Sequence, residues 1–240
     1  MNEPMAPFTI AIVALTALVS YGAFNSAGVM ERLLFEPGRI VRYGEYYRLV
    51  TSGFLHANWA HLIFNMFSFY SFGGRIESRF GASALLAIYF SSILGGNLLS
   101  LFLHRNHEYR ALGASGGVCG VIFAAIFLMP GGGVYIFPVP VPMPAHIFAI
   151  LFVLISFFGI RGRRGNIGHD AHLGGAIIGL AVTTLLHPEI VSENFILWVI
   201  VMSLALVLFI YLYHKPLYPF RGSRSSLDDR EETGRRPWQG

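Results

Sequence analysis

The chain is a succession of apolar runs, each long enough for a helix and each bounded by polar or helix-breaking residues. A helix crosses a bilayer with roughly 17–25 predominantly apolar residues. On that pattern seven spans are predicted: 8–24, 60–72 continuing to about 76, 82–103, 115–129, 145–160, 171–186 and 195–213. Pro130-Gly131-Gly132-Gly133 stops the fourth, Arg161-Gly162-Arg163-Arg164-Gly165 stops the fifth, and Pro188 follows the sixth.

Two connections are more than bare loops. Residues 25–59 mix Glu31, Arg32, Arg39, Arg42, Glu45 and Arg48 with Leu, Phe and Tyr, a pattern that predicts an amphipathic element lying in the membrane interface. Residues 134–144 are apolar but hold four prolines, which predicts an extended connector. From Lys215 onward the chain is charged and rich in Pro, Gly and Ser, so a disordered charged tail is expected over 215–240. The fold class expected is therefore all-α: one polytopic membrane helix bundle over 1–214, with no internal repeat.

Composition supports that class. The 240 residues are 54% hydrophobic and only 12% charged, against about 25% charged in a soluble domain. A net charge of +4 raises nucleic acid as a partner. The basic residues, however, fall in the inter-helix connections and the tail, the ordinary membrane distribution, so no nucleic acid is expected. Met1-Asn2-Glu3-Pro4 places no Lys or Arg before the first run, which predicts a retained segment rather than a cleaved signal peptide. The single Cys119 excludes an internal disulfide.

Polar side chains at membrane depth are costly, and they mark candidate sites. Gly113-Ala114-Ser115-Gly116 opens the fourth span, Ala171-His172-Leu173-Gly174-Gly175 opens the sixth, and His61 and Asn65 lie in the second. A serine at a helix start is either a plain N-cap or, with free N–H groups and the helix dipole beside it, a nucleophile. Gly175 and Gly179 share the face of His172, and Gly116 and Gly120 form a second small-residue face beside Ser115. Such faces let helix backbones approach closely in membranes. Their meeting would make Ser115 a nucleophile and His172 its general base. Asp170 is about 200° around a helix from His172, and Glu77 is at the far end of the second span, so a dyad without a carboxylate is expected. His61 and Asn65, four residues apart, are either a hydrogen-bond pair tying helices together or, with the backbone N–H of Ser115, an oxyanion hole.

At these residues the chain resembles the rhomboid family of intramembrane serine proteases. Gly113-Ala114-Ser115-Gly116 is similar to the family's GxSG nucleophile motif, His172 with Gly175 and Gly179 to its general-base helix, and His61 with Asn65 to its oxyanion pair. Tyr47-Arg48 and His56 lie where the family's embedded first loop has an aromatic–Arg pair and a structural histidine. Gly73-Gly74-Arg75-Ile76-Glu77 closes the second span as in that family. The resemblance covers about residues 8–187, and the extra helix at 195–213 makes the chain similar to the six-plus-one arrangement. Two positions depart: Cys119 stands where an aromatic ring is common, and Tyr47 where Trp is common.

The resemblance implies a serine endopeptidase that cleaves transmembrane segments of other membrane proteins within the lipid bilayer, with no cofactor and no metal. It implies catalysis by Ser115 and His172, an oxyanion hole of His61, Asn65 and the Ser115 backbone, and structural support from Gly113, Gly116, Gly175, Gly179, Arg48 and His56. The 25–59 insert is expected to be a mobile roof over that site. Three other readings stand beside it: a catalytically inactive relative acting as a membrane-protein binding module, haem or metal binding by His56, His61, His169 and His172, and Cys119 as nucleophile. Cys119 is expected to be buried and inert four residues into its helix. Orientation divides the arguments. Fifteen of the 17 Lys and Arg lie on the side from which Ser115 and His172 open their helices, and the positive-inside rule puts that side in the cytoplasm. The resemblance implies the extracytoplasmic face of the cell membrane, and that is the expectation kept.

Overall fold

A computed structural model describes residues 6–135, 141–162 and 168–214. The tail expected over 215–240, with Arg163 and Arg164, lies outside the described residues.

The apolar runs become helices α1 (Pro7–Phe24), α5 (Trp59–Phe80), α6 (Ala82–His104), α7 (Ser115–Leu128), α8 (Ala145–Gly162), α9 (His169–Leu186) and α11 (Phe195–His214). Between α1 and α5 stand three short helices, α2 (Ala27–Leu33), α3 (Pro37–Tyr43) and α4 (Arg48–Thr51), with a single tighter turn at Ser52–Phe54. A further short helix, α10 (Glu189–Glu193), precedes α11. The helix starts follow local chemistry. Pro7 occupies the first turn of α1, and the Asn58 side chain accepts the His61 N–H to cap α5. In the connector, strands β1 (Gly133–Val134) and β2 (Met143–Pro144) pair antiparallel, Gly133 opposite Pro144.

Four helices, α1, α6, α8 and α11, are long and apolar enough to cross a membrane by length and composition. The other three of the seven expected spans depart from that standard for stated reasons. Helix α5 carries His61, Asn65, Arg75, Glu77 and Arg79, and α9 carries His169, Asp170 and His172. Helix α7 is apolar but has only 14 residues, about 21 Å at 1.5 Å per residue. A hydrocarbon layer is about 30 Å thick, so α7 begins or ends well inside it.

Helices α6, α7 and α9 form the centre, with α1 and α5 on one side and α8 and α11 on the other. Their contact is made by missing side chains. A Cβ on Gly175 of α9 would land on the Gly116 carbonyl of α7, and one on Gly179 would land on Gly120. A Cβ on Gly120 would meet the Ser92 hydroxyl of α6, and one on Gly96 of α6 would meet the Ala171 carbonyl. The backbones therefore touch directly, which is how helices gain dispersion energy in a solvent as apolar as their own side chains. Gly95-Gly96, on the third helix, belongs to this contact although the sequence pairing matched only α7 with α9.

At the opposite end from Ser115, the Glu77 carboxylate accepts the Phe8 and Thr9 N–H groups at 2.9 and 2.7 Å and the Thr9 hydroxyl at 2.7 Å. It satisfies the free amides that begin α1 and sits on the positive end of that helix. On the other flank, Trp198 Nε1 donates to Thr184 Oγ1 at 2.9 Å and Asn194 Nδ2 to the Phe127 carbonyl at 3.2 Å, which ties α11 to the bundle.

The glycine contact makes a contrast that can be measured. Gly175→Ala forces two backbones apart, and overpacking of that kind costs about 1–3 kcal/mol. Gly22→Ala on α1 meets nothing within 4 Å, and replacing an interior helical glycine by alanine gains up to about 1 kcal/mol. Thermal unfolding in detergent is expected to fall for Gly175→Ala and to hold or rise for Gly22→Ala. Equal midpoints would show that the close approach contributes nothing.

Candidate active site

The starts of α5, α7 and α9 lie at one end of the bundle, beside the α2–α4 insert. Ser115 is the first residue of α7, with Ala114 as the cap residue and no side-chain cap bond, so the plain N-cap reading does not describe it. Its hydroxyl instead lies 2.7 Å from His172 Nε2. Both residues are half-buried. A neutral imidazole carrying its proton on Nδ1 accepts the Ser115 O–H at Nε2. The amides of the first α7 turn have no helical acceptor and point toward the same end.

Gly113, in the left-handed region at φ 135°, explains the shape of the adjoining space. A Cβ there would stand 3.2 Å from His61 Nε2 and 3.5 Å from Ser115 Oγ. Glycine thus keeps open a small volume bordered by the serine hydroxyl and the His61 ring. The Ala57 N–H reaches His61 Nδ1 at 3.5 Å, which leaves Nε2 as the protonated, donating nitrogen. Asn65 is buried on the same face of α5, and its amide donates to the His61 carbonyl at 2.9 Å.

The insert is a brace. It was expected to be a mobile roof, but its backbone is bonded to the segment that carries Ser115. Phe35 and Ala111 exchange N–H···O bonds at 2.9 and 3.1 Å, and the Gly113 N–H donates to the Ser52 carbonyl at 3.0 Å. The Ala114 N–H donates to His56 Nε2 at 3.5 Å; His56 Nδ1 lies 3.0 Å from Ser20 Oγ, which in turn donates to the Phe54 carbonyl at 2.9 Å. His56 is fully buried and its ring meets His61 edge-on with centroids 4.9 Å apart. The insert itself is held by Arg48, 1% exposed, which donates to the Glu31 and Leu34 carbonyls at 2.9 and 2.7 Å and pairs with Glu45. Those carbonyls end α2, where a cation is favoured.

Other groups fall outside this constellation. Cys119 is buried among Phe123, Phe157 and Leu173, and the ring beside His172 is that of His169, with centroids 6.3 Å apart. Among the described residues no group of three His, Cys, Asp or Glu side chains is arranged to hold a metal ion. Asp170 turns away from His172 and lies 3.1 Å from His104 Nε2 at the end of α6. Sequence reasoning missed that link because α9 starts at His169, two residues before the apolar run does.

Comparison with known proteins agrees in kind. The family model described as Rhomboid domain matches residues 43–189. The chain is 30% identical over 179 residues to the RHOMBOID-like protein 12, mitochondrial, of Arabidopsis thaliana, covering 67% of this chain and 52% of the relative. It is 28% identical over 214 residues to the rhomboid protease AarA of Providencia stuartii, covering 78% and 72%. To the rhomboid protease GlpG of Yersinia pseudotuberculosis it is 30% identical over 185 residues, covering 75% and 63%. The chain spans about half the length of several curated plant relatives it matches.

The insert offers a pH test. Glu45 is pushed down from its ordinary 4.5 to about 2 by hydrogen bonds from Arg39 and then Arg48. A carboxyl depressed in this way adds stability that is complete above its ordinary value and lost as pH falls through the depressed one. Glu45→Gln is therefore expected to lower the melting temperature near neutral pH, and the gap to wild type should close as pH falls from about 4.5 toward about 2. A gap that does not change with pH would mean that the ion pairs are not its source.

Proposed function

The chain belongs to the rhomboid family, and we propose that it is an intramembrane serine endopeptidase that cuts transmembrane segments of other membrane proteins with a Ser115–His172 dyad. The observation that carries this reading is the 2.7 Å contact between Ser115 Oγ and His172 Nε2 at the start of a helix too short to span the hydrocarbon layer. A hydroxyl and an imidazole in that relation are what nucleophilic catalysis needs. As His172 Nε2 takes the proton, Ser115 Oγ attacks the scissile carbonyl. The resulting oxyanion falls into the volume kept open by Gly113, where His61 Nε2 and the Ser115 N–H are donors. Asn65 joins them by turning one of its two amide hydrogens from its present bond. The imidazolium then gives its proton to the leaving amine, and a water activated by His172 releases the acyl group.

A carbonyl inside a substrate helix is already bonded to an N–H four residues on. The substrate must therefore unwind before Ser115 reaches it, which favours segments with small or helix-breaking residues near the membrane edge. No cofactor and no metal enters the scheme. The lipid bilayer is the working environment, and the domain doing this work is 1–214, its core at 8–187 with an additional helix at 195–213.

Purified Ser115→Ala and His172→Ala are each expected to lose cleavage of a transmembrane substrate while inserting normally, and wild-type Ser115 is expected to label with a fluorophosphonate probe. His61→Ala and Asn65→Ala should slow cleavage by about tenfold to a thousandfold, since hole donors act on the transition state. Robust cleavage by either dyad variant would sink the assignment. An unlabelled Ser115 in folded wild type would favour the inactive binding module instead.

The mouth is proposed to face away from the cytoplasm at the cell membrane. In favour of this, three arginines on that side are bonded within the fold: Arg48 to α2 carbonyls, Arg39 to Glu45, and Arg110 to Glu31 and Glu36. A reporter fused after Tyr213 is expected to be active outside the cytoplasm; activity only in the cytoplasm would reverse the orientation.

A further inference from the structure

The end of α6 and the start of α9 meet at the level of Ser115, with a buried polar pair between them. His104, in the last turn of α6, holds Nε2 3.1 Å from Asp170 Oδ2. Its Nδ1 is 2.8 Å from His107 Nε2, and its ring stacks on Tyr109 at 3.7 Å between centroids. Tyr109 donates to the other Asp170 oxygen at 3.3 Å. Asp170 is 4% exposed and His104 8%. Ser100 is a further buried polar residue of α6, and His169 and His172 stand on either side of Asp170 along α9. A carboxylate at a helix start and an imidazole at a helix end sit where the backbone dipoles favour negative and positive charge.

No step of the proposed reaction uses this pair, yet it is close to the base in the chain. The Asp170 carboxylate lies against the His104 ring of α6, and the next residue, Ala171, sets its carbonyl against Gly96 of α6 and Gly116 of α7. The residue after that is His172. The cap residue of α9, Gly168, has no side chain to fix the first turn. Two side chains hold the turn from which His172 projects: His169, packed against Gly159 of α8, and Asp170, set against His104 of α6.

We propose that Asp170 and His104 are a positioning pair that sets the reach of the His172 ring toward Ser115; neither touches the reacting atoms. The proposal rests on the Ser115–His172 reading above. A general base displaced by about 1 Å can lose on the order of a hundredfold in rate, so a link two residues away has leverage on kcat and none on substrate affinity.

The test uses the full-length protein in detergent or lipid, carrying Asp170→Asn, His104→Leu or His104→Gln, with kcat and KM for a transmembrane reporter and the fluorophosphonate labelling rate of Ser115. Asp170→Asn and His104→Leu are expected to lower kcat and labelling by about 10- to 100-fold with KM unchanged. The Asp170→Asn/His104→Leu double variant should be no slower than either single, as for residues acting through one contact. His104→Gln, which still presents an N–H to the carboxylate, should recover most of the loss. Wild-type kcat in Asp170→Asn and His104→Leu overturns the proposal, and so does a change in KM alone or a lower melting temperature with kcat intact. If Asp170→Asn does not fold, the comparison of His104→Gln with His104→Leu decides, and equal kcat for those two overturns it. A wild-type Ser115 that never labels, with Ser115→Ala cleaving equally well, defeats the dyad and takes the positioning pair with it; labelling intact but insensitive to position 170 defeats the pair alone.

Discussion

Everything at the mouth depends on how closely the backbones of α6, α7 and α9 approach. Between membrane helices there is little hydrophobic drive, because lipid is as apolar as leucine, so association rests on dispersion and polar contacts at short range. Glycine supplies the short range. Gly175 lies against the Gly116 carbonyl, and Gly96 closes on Ala171. Ser115 precedes one of these contact residues directly and His172 follows Ala171 directly. The 2.7 Å separation of their side chains is therefore inherited from the main chain.

The second dependence is on the insert. Irregular backbone at membrane depth has no water to satisfy it and must find partners in the protein. The segment leading to Ser115 finds them in Phe35, Ser52 and His56, all on the insert. Its rigidity is in turn drawn from Arg48, whose charge would be costly to bury without the α2 carbonyls and Glu45. The brace and the segment leading to Ser115 stabilise each other, and neither is intelligible alone.

Much of this was legible in the chain. Apolar run lengths marked the long helices, and the period of Gly116/Gly120 and Gly175/Gly179 marked the faces on which two of them meet. What stayed hidden shares one cause: the partners are distant in sequence and chemically ordinary. Nothing about Gly95-Gly96 distinguishes a third contact helix from an interior irregularity. Phe35 and Ala111 pair through backbone groups that every residue has, so that link left no side-chain signal, unlike the bracing by Arg48 and His56. Asp170 was read only by its angle to His172, because the apolar pattern begins at Ala171, whereas the helix begins at His169. An acidic residue just outside an apolar run is where boundary uncertainty hides function.

The fourteen-residue length of α7 has a consequence for the membrane itself. A helix of about 21 Å in a layer of about 30 Å leaves a deficit. Because α7 is enclosed by α5, α6 and α9, the protein rather than the bilayer meets that deficit, by letting water down to the helix start. Membrane thickness thus becomes a control variable for the hydration of Ser115. In a thin bilayer the same residue lies near the headgroups, and in a thick, sterol-rich one it lies under a deeper dry column.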